Sequence, residues 1–286
     1  MASDEVQPAA KSELLVRILS AALLAPVALA TVIIGGITLA LLVSLVAAIA
    51  FWEWTAIGGA EKPTWARLVA GASLVVGLLG LAVFGTTWIG VTGALAVLAV
   101  LAGLSRPALR WMGFGLAYVA VPCASFLLLR QAQPFGLVSV LFILIVVWIT
   151  DIAAYFGGRT FGGPKLWPAV SPKKTWSGAF SGLMASAIAG ATTVQVTGTS
   201  NFVDGLILAI PLSIAAQAGD LFESAMKRRF GIKDSGRIIP GHGGVLDRVD
   251  GLFGASAAAW LIAMLNLGGT TLSLPGTFVP VATGGT

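Results

Sequence analysis

The sequence predicts an all-α integral membrane protein of about nine transmembrane helices, with a cytoplasmic N-terminus and an extracytoplasmic C-terminus. Three observations carry this expectation. Of 286 residues, 57% are hydrophobic and only 10% charged, with mean hydropathy +0.94; a soluble domain carries about a quarter charged residues. The apolar residues fall into runs of roughly the 20 needed to cross a bilayer as a helix. Lys and Arg, finally, collect in alternate inter-run segments, as the positive-inside rule requires of cytoplasmic loops.

In chain order, a polar start over residues 1–13 (MASDEVQPAAKSE) reads as a short cytoplasmic tail. The first apolar run, 14–34, is long and lacks a clear small-residue cleavage site, so it reads as a span rather than a removable signal. Gly35 and Gly36 separate it from the second, 37–57, as a tight hairpin. Further runs occupy 67–84, 87–104, 111–129 and 136–157, then 178–197, 202–225 and 251–268. A Gly/Thr/Pro-rich tail from 269 to 286 reads as loosely ordered. With the N-terminus inside, 16 of the 17 Lys and Arg fall on the cytoplasmic side and only Arg130 falls outside. A missed or extra span would scramble that parity. The chain reads as one polytopic domain, with N-terminal helices over 14–147 and the chemistry over 148–268.

Composition also narrows the function classes. The single cysteine, Cys123, excludes an internal disulfide and a cysteine-built zinc site. The net charge of +5 lies in short loops between apolar runs, which suits membrane orientation and phosphate binding rather than nucleic acid. The two longest polar loops, 157–177 and 227–250, both fall on the cytoplasmic face, so chemistry on cytosolic substrates belongs there.

Five of the twelve acids, Asp151, Asp220, Glu223, Asp247 and Asp250, lie in or at the cytoplasmic ends of apolar runs. An ionised group within a span costs about 2.5–3.5 kcal/mol on insertion scales and faces a bundle interior or a wet cavity. For one such acid, pairing with a nearby Arg explains as much as function does. Spacing changes the balance. Asp220 and Glu223 in QAGDLFES, and Asp247 and Asp250 in LDRVD, are each three apart and share a helix face. Two helix ends thus bring carboxylates together beside cations, a hard-oxygen set suited to Mg²⁺ with substrate phosphates.

The cations add phosphate chemistry. In SPKKT, Ser171, Lys173, Lys174 and Thr175 sit on a proline-constrained turn leading into a helix, where amides and cations suit a phosphate. The pattern GxxxxGK[ST] is absent. Gly243 and Gly244 beside the lone His242 give exposed amides for close approach, although any turn needs glycine. The run Lys227, Arg228, Arg229 serves as an anchor at anionic headgroups, with Lys227 and Arg228 also candidate substrate contacts.

The run from Ser224 to Asp250, SAMKRRFGIKDSGRIIPGHGGVLDRVD, resembles the signature of phosphatidate cytidylyltransferases, of the form S-x-x-K-R-x(4)-K-D-x(5)-P-G-H-G-G-x-x-D-R-x-D. Every fixed position is met. The resemblance extends upstream to WITDIAAYFGGRTFGGPKL, with Asp151 and Arg159 as candidate substrate contacts, and to SPKKTWSG, covering roughly 148–250. It departs at Ser177, where Glu is expected. It implies an inner- or plasma-membrane enzyme that condenses CTP with phosphatidic acid to CDP-diacylglycerol and pyrophosphate on the cytoplasmic side. It further implies Mg²⁺ as cofactor, with Asp220 and Asp247 as the leading ligands and Asp250 third. Lys233, Arg248, Lys173 and Lys174 become candidate phosphate contacts. His242 becomes a donor or proton carrier, and Asp234 an orienting partner for Lys233. Lipid is then both substrate and surroundings; a homodimer is compatible with the resemblance, without an interface motif. The competing expectations are a CTP-dependent lipid kinase, which would release CDP, and, in another class, an ion-coupled transporter using Asp151 and Asp220.

Overall fold

The computed structural model describes residues 7–58, 64–88, 107–236, 238 and 243–265. Among them are eight α-helices: α1 (Gln7–Ile34), α2 (Gly36–Ile57), α3 (Thr64–Phe84), α4 (Pro107–Gln131), α5 (Gly136–Phe161), α6 (Trp176–Thr197), α7 (Phe202–Arg229) and α8 (Leu246–Leu265). Seven of these, α2 to α8, are long and apolar enough to cross a membrane. The all-α membrane class is therefore as expected. The expected span over 87–104 and the tail over 269–286 lie outside the described residues, apart from the short 3₁₀ turn Gly85–Trp88.

The helix ends depart from the apolar runs in instructive ways. α1 begins at Gln7, inside the stretch expected as tail. α5 and α7 run on to Phe161 and Arg229, because a helix continues into polar sequence until something stops it. Gly162 stops α5, at φ +61°, a backbone conformation that L side chains rarely adopt. The loop between α5 and α6 contains a two-stranded antiparallel hairpin that the sequence reading did not anticipate. In it β1 (Lys165–Trp167) pairs with β2 (Ser171–Thr175), Lys165 opposite Thr175. Thr175 ends the hairpin and caps α6, its hydroxyl accepting from the Gly178 amide at 3.1 Å.

Side-chain bonds fix which helix ends lie together. Arg130, the one cation expected outside, donates to the Val32 and Ile33 carbonyls at the end of α1. Gln131 reaches the Leu81 and Ala82 carbonyls near the end of α3. At the opposite end, Arg67 of α3 donates to Thr55 of α2 at 3.0 Å. There too, Trp54 of α2 stacks on Trp111 of α4 at 4.3 Å between ring centroids. Each of these two indoles donates to the other residue's carbonyl, at 3.0 and 2.8 Å. α3 and α4 therefore run parallel.

Small residues set the tightest crossing. A Cβ on Gly219 of α7 would strike the Asp250 carbonyl of α8, and one on Gly254 would strike the Ala215 carbonyl. Backbones thus touch without intervening side chains, the mode by which membrane helices associate. Asp220 is thereby carried to the flank of α8.

Candidate active site

At the end of the bundle marked by Trp54 and Trp111, α7 closes and α8 opens, with the β hairpin beside them. Lys174, the fourth residue of β2, forms an ion pair with Asp220 of α7. One turn further along α7, Glu223 lies fully buried and pairs with Lys227 at 2.5 Å. Lys227 turns also to Asp247 of α8, at 2.6 Å. Asp250, one turn into α8, lies within electrostatic reach of Asp220, Lys174 and Lys227, and Asp151 of α5 within reach of Asp220 and Lys174. The five acids singled out by the sequence are thus brought to one place with two lysines among them. The lysines supply the countercharge without which such a cluster would repel itself.

Asp247 is held most firmly. Its Oδ1 takes Lys227, and both of its oxygens accept from the Ser235 amide at 3.2 and 3.1 Å. Its Oδ2 also accepts from the Gly244 amide at 2.9 Å. The Gly244 amide, expected to face a phosphate, is therefore committed inside the loop. Gly243 takes φ +83° and makes the turn possible. Lys227, expected as a substrate contact, is buried as an internal counterion. The Thr175 hydroxyl is committed to capping α6 and to Ser177 at 3.0 Å. Ser177, the departure from the expected Glu, donates in turn to the Gly162 carbonyl and ties the hairpin base to the end of α5.

The other candidates lie at the surface or bond within their own elements. Lys173, Lys233, Asp234 and Arg248 are exposed, and Ser171 is half-buried on β2. Arg159 donates to the Tyr155 hydroxyl at 3.0 Å, and Arg228 to the Ile232 carbonyl at 2.9 Å, closing the end of α7. His242 lies outside the described residues.

Mg²⁺ can be tested against the donors present. Among the described residues no three His, Cys, Asp or Glu are close enough to form a metal cage by themselves. Mg²⁺ does not require one, since one or two carboxylates with substrate phosphates and water suffice. Asp220 and Asp250, on helices whose backbones touch, are two carboxylates of the kind such a site uses. Lysine ammoniums already stand as cations against Asp220 and Asp247. The donor set fits.

Sequence reasoning missed one acid altogether. Glu53 of α2 is 2% exposed, and its carboxylate accepts from the Ser235 hydroxyl and from the amides of Val245 and Leu246 at the start of α8. The signal was present: an acid inside the apolar run AFWEWTAI is as costly as those at 220 and 250.

Below the acids, away from the polar loops, an apolar cavity of roughly 430 Å³ lies between α4, α7 and α8. Tyr118, Pro122, Gly219, Phe222, Phe253 and Gly254 are among its lining residues. Asp220 directly follows one lining glycine, and Asp250 lies one turn before another.

Seven long apolar helices, with a charged centre at one end of the bundle and an apolar cavity beside it, are the architecture of a multi-pass membrane protein. The chain belongs to the cytidylyltransferase family, whose model matches residues 15–266. It is 40% identical over 270 residues to the phosphatidate cytidylyltransferase of Brucella suis biovar 1 (strain 1330), spanning 89% of this chain and 94% of that protein. The protein of the same name from Brucella abortus biovar 1 (strain 9-941) is 39% identical over the same length. That of Staphylococcus saprophyticus subsp. saprophyticus is 46% identical over 142 residues, 47% of this chain and 51% of its own.

Proposed function

We propose that this chain joins the cytidylyl group of CTP to phosphatidate, giving CDP-diacylglycerol and pyrophosphate, at the cytoplasmic face of the cell membrane and with Mg²⁺ as cofactor. The observation that carries the reading is the position of the Asp220–Asp247–Asp250 cluster, with Lys174 and Lys227, directly above the apolar cavity. The relatives named above supply the substrates. A phosphate oxygen of phosphatidate attacks the α-phosphorus of CTP, the bond from that phosphorus to the bridging oxygen breaks, and pyrophosphate leaves. Such a reaction asks the protein for alignment and charge neutralisation rather than covalent chemistry.

Each residue then has a task. The cavity between α4, α7 and α8 receives apolar substrate at a depth where its headgroup meets the acids. Lys173, Lys174, Lys233, Arg248 and Arg159, with Ser171, meet phosphate oxygens arriving from the polar side. Asp220 and Asp250 would hold Mg²⁺, with Asp247 beside them. Bound there, Mg²⁺ would supply charge neutralisation for the triphosphate and its leaving pyrophosphate. Lys227 keeps Glu223 and Asp247 compatible with burial. The cytoplasmic placement rests on the basic loops of the sequence.

Purified protein in detergent, given CTP, phosphatidate and Mg²⁺, should form a CDP-lipid and pyrophosphate in equal amounts. A phosphorylated lipid with free CDP would instead support the lipid kinase.

A further inference from the structure

Glu53 lies 182 residues before Ser235 in sequence, on a helix that none of the site motifs includes, yet it meets the site loop with both carboxylate oxygens. Its Oε1 accepts from the Val245 amide at 3.0 Å. Its Oε2 accepts from the Leu246 amide at 2.8 Å and the Ser235 hydroxyl at 3.1 Å. The opening amides of a helix have no partner within it. Here a side chain from another helix meets the amides at the start of α8, which is why that helix begins at Leu246 rather than further into the apolar run.

Ser235 ties this carboxylate to the site. Its hydroxyl goes to Glu53 while its amide goes to Asp247, so one loop residue is gripped from both sides. The loop is shaped to admit Glu53. A Cβ on Gly236 would strike its Oε1, and one on Gly244 would come within 2.7 Å of its Oε2. Glu53 is itself immobilised by its neighbours. Trp54 is locked to Trp111, Thr55 accepts from Arg67, and the Arg67 guanidinium lies 3.9 Å over the Trp52 ring.

We propose that Glu53 is a positioning residue for the reaction: from the N-terminal half of the chain it holds Ser235, Val245 and Leu246 together at the start of α8 and so fixes Asp247 and Asp250 relative to Asp220. It touches no reacting atom. This inference rests on the cytidylyl-transfer reading for its kinetic test, but the loop linkage can be measured without turnover.

The decisive variant is Glu53→Leu. Leucine fills similar volume and suits an apolar helix, so a packing role alone would survive it, whereas the Val245, Leu246 and Ser235 donors would lose their acceptor. Detergent-purified E53L should elute as wild type yet lose about a hundredfold in kcat, the scale expected when a site is displaced by about 1 Å. KM for phosphatidate should stay within about twofold. E53Q keeps one acceptor oxygen and should recover part of the rate, to about tenfold below wild type. In hydrogen exchange, peptides over 235–246 should lose protection in both variants while those over 202–222 keep theirs.

Wild-type kcat in E53L, or exchange that rises equally across all helices, would overturn the proposal. Should E53L fail to fold, Ser235→Ala removes one of the three bonds. It should lower kcat about tenfold, and its effect should not add to that of E53Q; full additivity would overturn the linkage. Were wild-type protein to make no CDP-lipid, the assigned reaction would fall, and local loss of protection over 235–246 would still decide the role of Glu53.

Discussion

Replacing Lys227 with Met isolates the energetics of the buried charges. Lys227 contacts Glu223, whose side chain is 1% exposed, and it also meets Asp247, 9% exposed. Methionine keeps the length and apolar stem but leaves both acids without their ammonium. Asp247 retains the Ser235 and Gly244 amides, so most of the loss falls on Glu223. Breaking a buried pair from one side costs about 3–5 kcal/mol, because the remaining charge stays desolvated. For a chain of this size that lowers the melting temperature on the order of 10 °C. Thermal unfolding in detergent, followed by intrinsic tryptophan fluorescence, reads the shift directly. The double variant K227M/E223Q removes the stranded charge and should regain about half of the loss. If K227M melted with wild type, or if E223Q deepened the defect, Lys227 would not be the counterion described here.

Other outcomes follow from the same geometry. D220N and D250N should each cut kcat by about 10²–10³ while leaving the melting curve near wild type, since charge neutralisation rather than folding is lost; either variant with normal turnover would remove its carboxylate from the site. Chelation with EDTA should abolish CDP-lipid formation and added Mg²⁺ should restore it; unchanged activity would rule out the cofactor assignment. G254V drives a side chain into the Ala215 carbonyl and should destabilise by about 1–3 kcal/mol as α7 and α8 part, whereas G71A, whose Cβ would lie 3.8 Å from Phe51, should be tolerated. W54F loses the indole bond to the Trp111 carbonyl and should cost about 1–3 kcal/mol in thermal unfolding.

The spans were legible because twenty apolar residues in a row admit few other structures. The ends of α2, α3, α4 and α6 accordingly fall within a few residues of the apolar runs. The acids were legible in part. Three-residue spacing placed Asp220 with Glu223 and Asp247 with Asp250, and the helix crossing brings the two pairs together. How each acid is bonded was not legible, because that depends on backbone amides: Ser235 and Gly244 turn inward to Asp247, and no residue pattern announces an amide's direction. The β hairpin escaped for a related reason. Its strands are three and five residues long, one carrying Pro172, and lack the alternation that marks a strand. Glu53 was different. Its signal was an acid inside an apolar run, and only its distance from the motifs concealed its connection to the site.

The central claim is the transfer of the cytidylyl group rather than a terminal phosphate, and the fate of label in CTP tests it most directly. With phosphatidate, Mg²⁺ and the purified protein, label at the α-phosphorus should enter the lipid fraction and label at the γ-phosphorus should appear in pyrophosphate. Label from the γ-phosphorus in the lipid, with the α-label remaining in CDP, would contradict the account.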